Sequence, residues 1–337
     1  MITHERLAFL PANMPLKVKA EHVRNVGFVI NEQIKNSEII EFKFTRNAIG
    51  RLVDELNKIK SEREYAKELI SMISYGSTIS FQKEHAIENL LSFSKSVVGN
   101  KHAVRESLIR ISQLIEVEHE AVKKLVNFEE HEKEINDVAF KRAKNVQVIT
   151  ANFEKINAAI RANVLRLKAL GSEGEQLMKK NIARLDMIIN EFRRKVKPEL
   201  VRTKGEIAQN TTKLLEGMNK DLKELETILS VQRTNIKQAE GSFKAIITCN
   251  DAHKVARMQN EFIALLKRII ILTNGREKTW IRDMQKKSAA NMHNIIDVET
   301  HLNKAVAAMA DMRRREQKEI HDSHAEIISM VEHLTKV

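Results

Sequence analysis

Histidines near the C-terminus are the first residues whose types and spacing could support chemistry. His321 and His324 lie three residues apart, so a helix would place them on one side, and His293 and His301 lie upstream in the same segment. A protein metal site needs three or four ligands that converge on one ion. Because the spacing aligns only two of the four, the pattern favours surface histidines over a metal site.

Cys249 is the only cysteine, which excludes an intramolecular disulfide. A reactive thiol is one interpretation, but the only basic residues near it in sequence are Lys244 and Lys254, so a packed or unreactive cysteine is preferred. The sequence has no glycine-rich phosphate loop, no Ser or Cys nucleophile motif and no His-Glu-x-x-His. It therefore predicts a protein that is not an enzyme and that has no catalytic residues, no cofactor and no metal.

The elements that would position any site are long helices. Pro198 is the only proline after Leu16, and the whole chain has only ten glycines. Proline costs about 3 kcal/mol in a helix interior and glycine about 1 kcal/mol, so a chain that nearly lacks both favours uninterrupted helices. Aromatic residues make up only 4% of the chain, which suits narrow helix–helix interfaces. The predicted fold is all-α: an elongated antiparallel bundle of very long helices with a short helical hairpin at one end.

Local signals predict where these helices begin and end. Breaks are expected near Asn36–Ser37 and at Gly76, with Thr45 as an N-cap, and Gly99-Asn100 is a C-terminal stop. Pro198 should kink or split the helix in which it lies. The predicted organisation is an N-terminal arm (1–15) within a segment of short helices that pack on the bundle (1–100), a long-helix stalk (101–240), a hairpin (241–275) and a long C-terminal stalk helix (276–337).

Basic residues give the chain a net charge of +12, which favours anionic partners. Few aromatic residues lie among these charges to stack on bases, and no nucleic-acid-binding motif is present, so nucleic acid is disfavoured. A solvated helix face is the preferred interpretation of the densest basic segment, and a membrane- or partner-binding patch is the alternative. The residues of that patch are Lys179, Lys180, Arg193, Arg194 and Lys195.

The interval from Gly241 to Gly275 differs from the rest because its charge is lower and its β-branched content higher. Asn250-Asp251 is a turn signal, so two short helices are expected, and Gly241 and Gly275 bound the unit at its two ends. One interpretation is a subdomain that caps the bundle, and the other is a concealed membrane-insertion element. The candidate insertion residues are Phe243, Ile246, Ile247, Phe262, Ile263, Leu265, Leu266, Ile269, Ile270, Ile271 and Leu272.

The sequence shows neither a secretory signal nor a constitutive membrane span. The N-terminus lacks a basic region followed by an apolar one. The longest mostly apolar run, Phe262 to Leu272, is interrupted by Lys267 and Arg268 and falls short of the ~20 residues that a span needs. A protein made as a soluble cytoplasmic chain is expected.

Long helices, no disulfide, no signal and a mildly apolar hairpin between long segments together resemble the α-helical pore-forming toxins of the cytolysin A superfamily. Within that superfamily the chain is most similar to the B component of the binary Xax/Yax-type bacterial cytotoxins. The resemblance implies a soluble monomer made in the bacterial cytoplasm without a signal peptide and then released. It further implies assembly with an A-component subunit on a target-cell lipid membrane, into a hetero-oligomeric ring that forms a lytic pore. In that mechanism the hairpin swings out of the bundle, and Gly241 and Gly275 are expected to be its hinges.

Two alternatives stay open at this point. The membrane tip of such a toxin could instead be the Gly171–Gly174 loop. The chain could also be a non-toxin: an elongated helical scaffold, or a membrane-surface dimer similar to BAR proteins that uses its basic residues.

Overall fold

A computed structural model describes residues 16–126 and 128–336, and these residues form helices and connecting turns without a β-strand. The all-α prediction is confirmed. A 3₁₀ turn (Ser94–Ser96) follows the first helix, and a second one (Arg166–Leu170) follows the third. Two π-helical turns also interrupt the chain: the first π turn, Phe192–Val196, and the second π turn, Leu272–Glu277. The α-helices are α1 (Leu16–Phe93), α2 (Lys101–Val126), α3 (Phe128–Leu165), α4 (Ser172–Glu191), α5 (Lys197–Lys204), α6 (Glu206–Thr248), α7 (Ala252–Ile271) and α8 (Lys278–Lys336).

Helix α1 is continuous through every position where the sequence predicted a break between residues 16 and 93. The breaks at Asn36–Ser37 and at Gly76, and the N-cap at Thr45, were therefore wrong. A single glycine costs a helix only about 1 kcal/mol. Ile73 and Ile79, which flank Gly76, are both buried, and their packing offsets that cost. The N-terminal arm predicted for residues 1–15 lies outside the described residues.

The stop predicted at Gly99-Asn100 is confirmed. After α1 and its 3₁₀ turn, the backbone N–H of Asn100 and its side-chain amide both donate to the carbonyl of Ser96, each at 3.0 Å. The carbonyl of Asn100 then accepts from the backbone N–H of Val104 at 2.9 Å, which starts α2. One asparagine thus serves both the end of one helix and the beginning of the next.

The loop predicted over Gly171–Gly174 contracts to Gly171, because Ser172 already begins α4. Gly171 has φ 89° and ψ −158°, a conformation that is essentially restricted to glycine. A Cβ at Gly174 would lie 2.1 Å from the carbonyl oxygen of Leu167 and 2.9 Å from Cβ of Leu170. Glycine at this position is what allows α4 to pack directly on the preceding 3₁₀ turn.

The interruption predicted at Pro198 is confirmed and takes the form of the first π turn. Proline has no backbone N–H and cannot continue the hydrogen-bond ladder of a helix. Immediately before it, the N–H of Lys197 donates to the carbonyl of Phe192, five residues back. Phe192 is buried, and its ring stacks on that of Phe153 with centroids 3.7 Å apart and planes at 15°.

The chain divides into two compact units, each with its own core. The first comprises the described parts of 1–59 and 297–337 together with Phe140–Ile207, and the second comprises Lys60–Ala139 and Ala208–Ile296. Leu, Ile, Val and Met dominate both cores, as expected for helix–helix packing. The core of the first unit includes Val26, Ile30, Ile34, Ile160, Val164, Leu167, Leu185, Ile327 and Val331. The second has one cluster around Leu69, Ile73, Val122, Leu215, Met218, Leu222 and Met284, and another at the α6–α7 turn.

Candidate functional site

The α6–α7 tip, defined as residues 241–271, is a helical hairpin whose turn is Cys249–Asp251. The carboxylate of Asp251 accepts from the backbone N–H groups of His253 at 2.9 Å and Lys254 at 3.2 Å, which is an N-cap of α7. The turn predicted at Asn250-Asp251 is confirmed. The helix that precedes it is not short, because α6 begins at Glu206 and runs through Gly241 without a break.

One face of α7 is buried in the second unit. Phe262, Leu266 and Ile269 are fully buried, and their spacing of four and three residues places them on one side of the helix. They pack with Phe243 and Ile246 of α6. This tip cluster is completed by residues of α1, α2 and the segment that connects them, including Ile87, Leu90, Val97, Val104, Leu108, Ile111 and Ile115.

The remaining candidate insertion residues lie further from the core. Ile263, Leu265, Ile270 and Leu272 are half-buried. Ile247 and Ile271 are 45% and 67% exposed. The structure therefore gathers five of the eleven candidates inside the tip cluster and leaves two isoleucines on the surface.

The two predicted hinge glycines both lie within helical backbone. Gly241 is inside α6, and Gly275 is inside the second π turn. A Cβ would meet nothing within 4 Å at either position. Neither glycine is thus required by close packing, and their hinge role stays a prediction.

Gly241→Ala will raise the free energy of unfolding by about 0.5–1 kcal/mol, because alanine restricts the unfolded chain and fits the helix without a clash. Urea unfolding followed by circular dichroism measures this gain. If Gly241 is also a hinge, the same variant will lose lytic activity while it gains stability. A variant with both properties unchanged would contradict the stability argument and the hinge together.

A buried polar group, which the sequence analysis missed, lies at the base of α7. The Lys83 cluster consists of Lys83 (α1), Glu118 (α2), Gln232 (α6) and Thr273 and Glu277 (second π turn), and each side chain is at most 1% exposed. The Lys83 ammonium donates to Oε2 of Glu118 at 2.5 Å, to Oε2 of Glu277 at 2.7 Å and to Oε1 of Gln232 at 2.8 Å. All three of its N–H donors are therefore used.

The amide of Gln232 extends the Lys83 cluster into the second π turn. Its Nε2 donates to Oε2 of Glu277 at 2.6 Å and to the hydroxyl of Thr273 at 3.1 Å. The Thr273 hydroxyl in turn donates to the carbonyl of Ile269 at 3.0 Å, inside α7. A continuous set of hydrogen bonds thus connects α1, α2 and α6 to the last turn of α7.

Two carboxyl groups share one ammonium in this dry site. Burial raises the pKa of Glu118 to about 8, against the attraction of Lys83 and with a further increase from the neighbouring Glu277. Burial alone would also raise the pKa of Glu277, but the Lys83 charge and the hydrogen bonds from Lys83 and Gln232 lower it. At pH 7 the structure therefore favours a protonated Glu118 beside an ionised Glu277.

A signal for this cluster was present in the sequence. Lys83 lies four residues before Ile87, and Glu118 lies between Ile115 and Val122, so both occupy positions of the buried stripes of their helices. A charged residue in a buried stripe indicates a buried ion pair. Its partners come from distant parts of the chain, and the pattern within one helix does not identify them.

The predicted basic patch is only partly free of acidic partners. Arg193 and Arg194 are exposed on the first π turn. The three lysines form ion pairs: Lys179 with Glu175 at 3.3 Å, Lys180 with Glu326 at 2.9 Å and Lys195 with Glu191 at 2.7 Å. These contacts are what a solvated helix face would show, and they reduce the net charge of the patch.

The sequence analysis expected the histidines of α8 to lie on the surface, but not all of them do. His324 is only 9% exposed, and His301 is half-buried with Nδ1 2.6 Å from a carboxylate oxygen of Glu199. The structure shows no group of three His, Cys, Asp or Glu side chains that could hold a metal ion among the residues it describes.

Neither hydropathy nor similarity identifies a function for this chain. Across residues 16–126 and 128–336, no helix combines the length and the apolar character needed to cross a membrane. Comparison of the chain with protein-family models, curated proteins and solved structures gives no match.

Proposed function

We propose that this protein is a subunit of a binary α-pore-forming cytotoxin. It is a soluble monomer that joins an A-component partner on a target-cell membrane and contributes to a lytic pore. The α6–α7 tip is the segment that enters the membrane, and the hetero-oligomeric ring surrounds the pore.

The observation that supports this proposal is the burial of the apolar face of α7. Phe262, Leu266 and Ile269 are withheld from water by α1, α2 and α6, in a hairpin connected by a three-residue turn. A membrane-insertion element must stay soluble before use, so its apolar surface has to be covered within the monomer. The α6–α7 tip meets that requirement.

The energetics of insertion require a second component. Lipid burial is worth about 25 cal/mol per Å² of apolar surface, and the same surface is already buried in the tip cluster. Release and insertion are therefore close to balanced for the free monomer. A partner that binds the released conformation more tightly shifts the equilibrium toward it.

The charges of the α6–α7 tip suit a membrane interface. Lys244, Lys254, Arg257, Lys267 and Arg268 are all exposed. Long basic side chains can extend to anionic headgroups while their methylene groups stay in apolar surroundings. A water-filled pore lumen would accommodate the same charges.

A second candidate function is a membrane-surface protein that never inserts. The exposed Arg193 and Arg194 of the first π turn support it, because they could contact anionic lipid. This candidate predicts lipid binding that weakens steeply with salt, and the pore predicts insertion that resists salt.

Cross-linking α1 to the first residue of α8, directly after the second π turn, tests the pore proposal. The side chains of Glu84 and Lys278 form an ion pair between α1 and α8, one residue beyond the second π turn. Glu84→Cys/Lys278→Cys in a Cys249→Ser background, joined by a short bismaleimide, will fold normally and lose lysis of liposomes and red cells. The assay includes candidate partner proteins encoded beside this one.

The matched control is a cross-link to a residue of α8 ten positions beyond the second π turn. Asp221→Cys/Lys287→Cys replaces an ion pair of 2.6 Å between α6 and α8 and should retain lysis after the same treatment. Lysis by the Glu84/Lys278 cross-linked form would overturn a release in which the end of the second π turn separates from α1. Absence of lysis by the untreated protein with every partner, together with salt-sensitive lipid binding, would support the second candidate instead.

A further inference from the structure

The Lys83 cluster joins the second π turn, which follows α7 directly, to α1, α2 and α6 through buried ion pairs and hydrogen bonds. It contains five side chains from α1, α2, α6 and the second π turn, all at most 1% exposed. The rest of the buried contact surface of α7 is apolar. A change in the charge of the cluster therefore acts on one defined place, the C-terminal end of α7.

The number of protons in the cluster sets its net charge. When Glu118 is protonated, one ammonium and one carboxylate are present and the cluster is neutral. When Glu118 is ionised, two carboxylates face one ammonium. A buried charge without a partner costs several kcal/mol, and water must reach it to reduce that cost.

The second π turn is the element that can yield to water. π-Helical turns interrupt the regular hydrogen-bond ladder of a helix and are common at functional sites. This one carries Thr273 and Glu277 and follows α7 directly. Movement of this turn would expose Glu277 and break the hydrogen bonds from Gln232 to Thr273 and Glu277.

We propose that the Lys83 cluster is a proton-dependent latch: the proton held by the paired carboxyl groups of Glu118 and Glu277 keeps α7 seated, and its loss opens the second π turn and α7.

Two further ion pairs involve residues next to the cluster in sequence. Lys278 at the start of α8 pairs with Glu84 of α1, and Arg233 of α6 pairs with Glu116 of α2 at 2.6 Å. Both pairs are partly exposed, and each has no net charge. His119 follows Glu118 in α2 and is also buried. It is retained in the Glu118→Gln variant, so that variant separates the effect of Glu118 from that of the histidine.

The sign of the effect follows from the two pKa shifts. The pKa of Glu118 is raised from 4.5 to about 8 in the closed state, so the closed state binds one more proton between these values and becomes less stable as pH rises through them. The pKa of Glu277 is lowered, so its contribution is fully present above pH 4.5 and is lost only as pH falls below it. Between about pH 5.5 and 7.5 Glu118, and not Glu277, is the member of this pair whose protonation changes the balance.

Hydrogen exchange of the full-length protein tests the latch. Protection factors of amides in 252–277, corrected for the intrinsic exchange rate at each pH, will fall about tenfold per pH unit between pH 5.5 and 7.5, because one proton is released on opening. Glu118→Gln retains the hydrogen-bonding shape without the acid, and its protection factors will not change with pH. Glu277→Gln will also remove the dependence, because Glu118 then becomes the carboxylate partner of Lys83.

The control is Glu116→Gln, on the same helix but partly exposed and paired with Arg233. It will keep the wild-type pH dependence. A wild-type protein whose protection in 252–277 is independent of pH, or a slope that persists in Glu118→Gln, would overturn the latch. The measurement needs no membrane and no partner, so its failure leaves the pore proposal standing, and absence of lysis leaves the latch standing.

Discussion

Lys83→Met will lower the free energy of unfolding of the second unit by about 3–5 kcal/mol at pH 7, the cost of removing one partner from a buried ion pair. The substitution preserves most of the side-chain volume but removes three donated hydrogen bonds, which leaves the ionised Glu277 without its cation. The side-chain amide of Gln232 alone cannot replace a positive charge. Urea unfolding followed by the fluorescence of Trp280, the only tryptophan, measures the loss in this unit.

Lys67→Met is the matched control on the same helix. Lys67 pairs with Glu64 at 2.7 Å, but both side chains are more than half exposed, and an exposed ion pair contributes little to stability. Its unfolding midpoint should stay near that of the wild type. Equal midpoints for the two lysine variants would contradict the assignment of Lys83 as the central charge of the cluster.

A double substitution separates charge from packing. In Lys83→Met/Glu277→Gln the remaining carboxyl is Glu118, whose protonated form needs no cation. This variant should therefore recover part of the stability lost in Lys83→Met, most fully at mildly acidic pH. No recovery would mean that the loss comes from packing around residue 83 and not from the unpaired carboxylate.

The periodicity of the sequence was enough to predict the helices but not all of their ends. The stop at Gly99-Asn100 and the interruption at Pro198 were correct, because both rest on local hydrogen bonding that the residues themselves provide or lack. Gly76 was wrong as a stop, because tertiary packing of Ile73 and Ile79 outweighs one glycine. A local sequence signal thus predicts a helix end correctly when its own energetic effect is larger than that of tertiary packing.

The tip and the Lys83 cluster show the same contrast. The turn at Asn250-Asp251 was predicted because the N-cap is formed within four residues by the Asp251 carboxylate. The Lys83 cluster was missed, because its ion pairs join residues 35 and 194 positions apart and appear only when the helices assemble. The sequence also did not predict which residues of α7 are buried, because their burial depends on the same assembly of helices.

Phe262→Ala will lower the free energy of unfolding by about 3–5 kcal/mol, the range for removing a buried aromatic ring from a core. Phe262 is 0% exposed and packs in the tip cluster, whose α1 and α2 helices are anchored elsewhere in the second unit. The surrounding residues cannot collapse fully into the space that is left. Urea unfolding with Trp280 fluorescence measures the change, and an unchanged slope with a lower midpoint identifies it as lost stability.

Ile271→Ala, at the C-terminal end of the same helix, is the control because Ile271 is 67% exposed and makes little buried contact. Its midpoint should stay close to that of the wild type. Hydrogen exchange then locates the effect: Phe262→Ala should accelerate exchange in 252–271 and leave 140–207, in the first unit, unchanged. Faster exchange in both units would show that the tip cluster and the rest of the chain unfold together, and release of α7 alone would then be too costly for the insertion step proposed above.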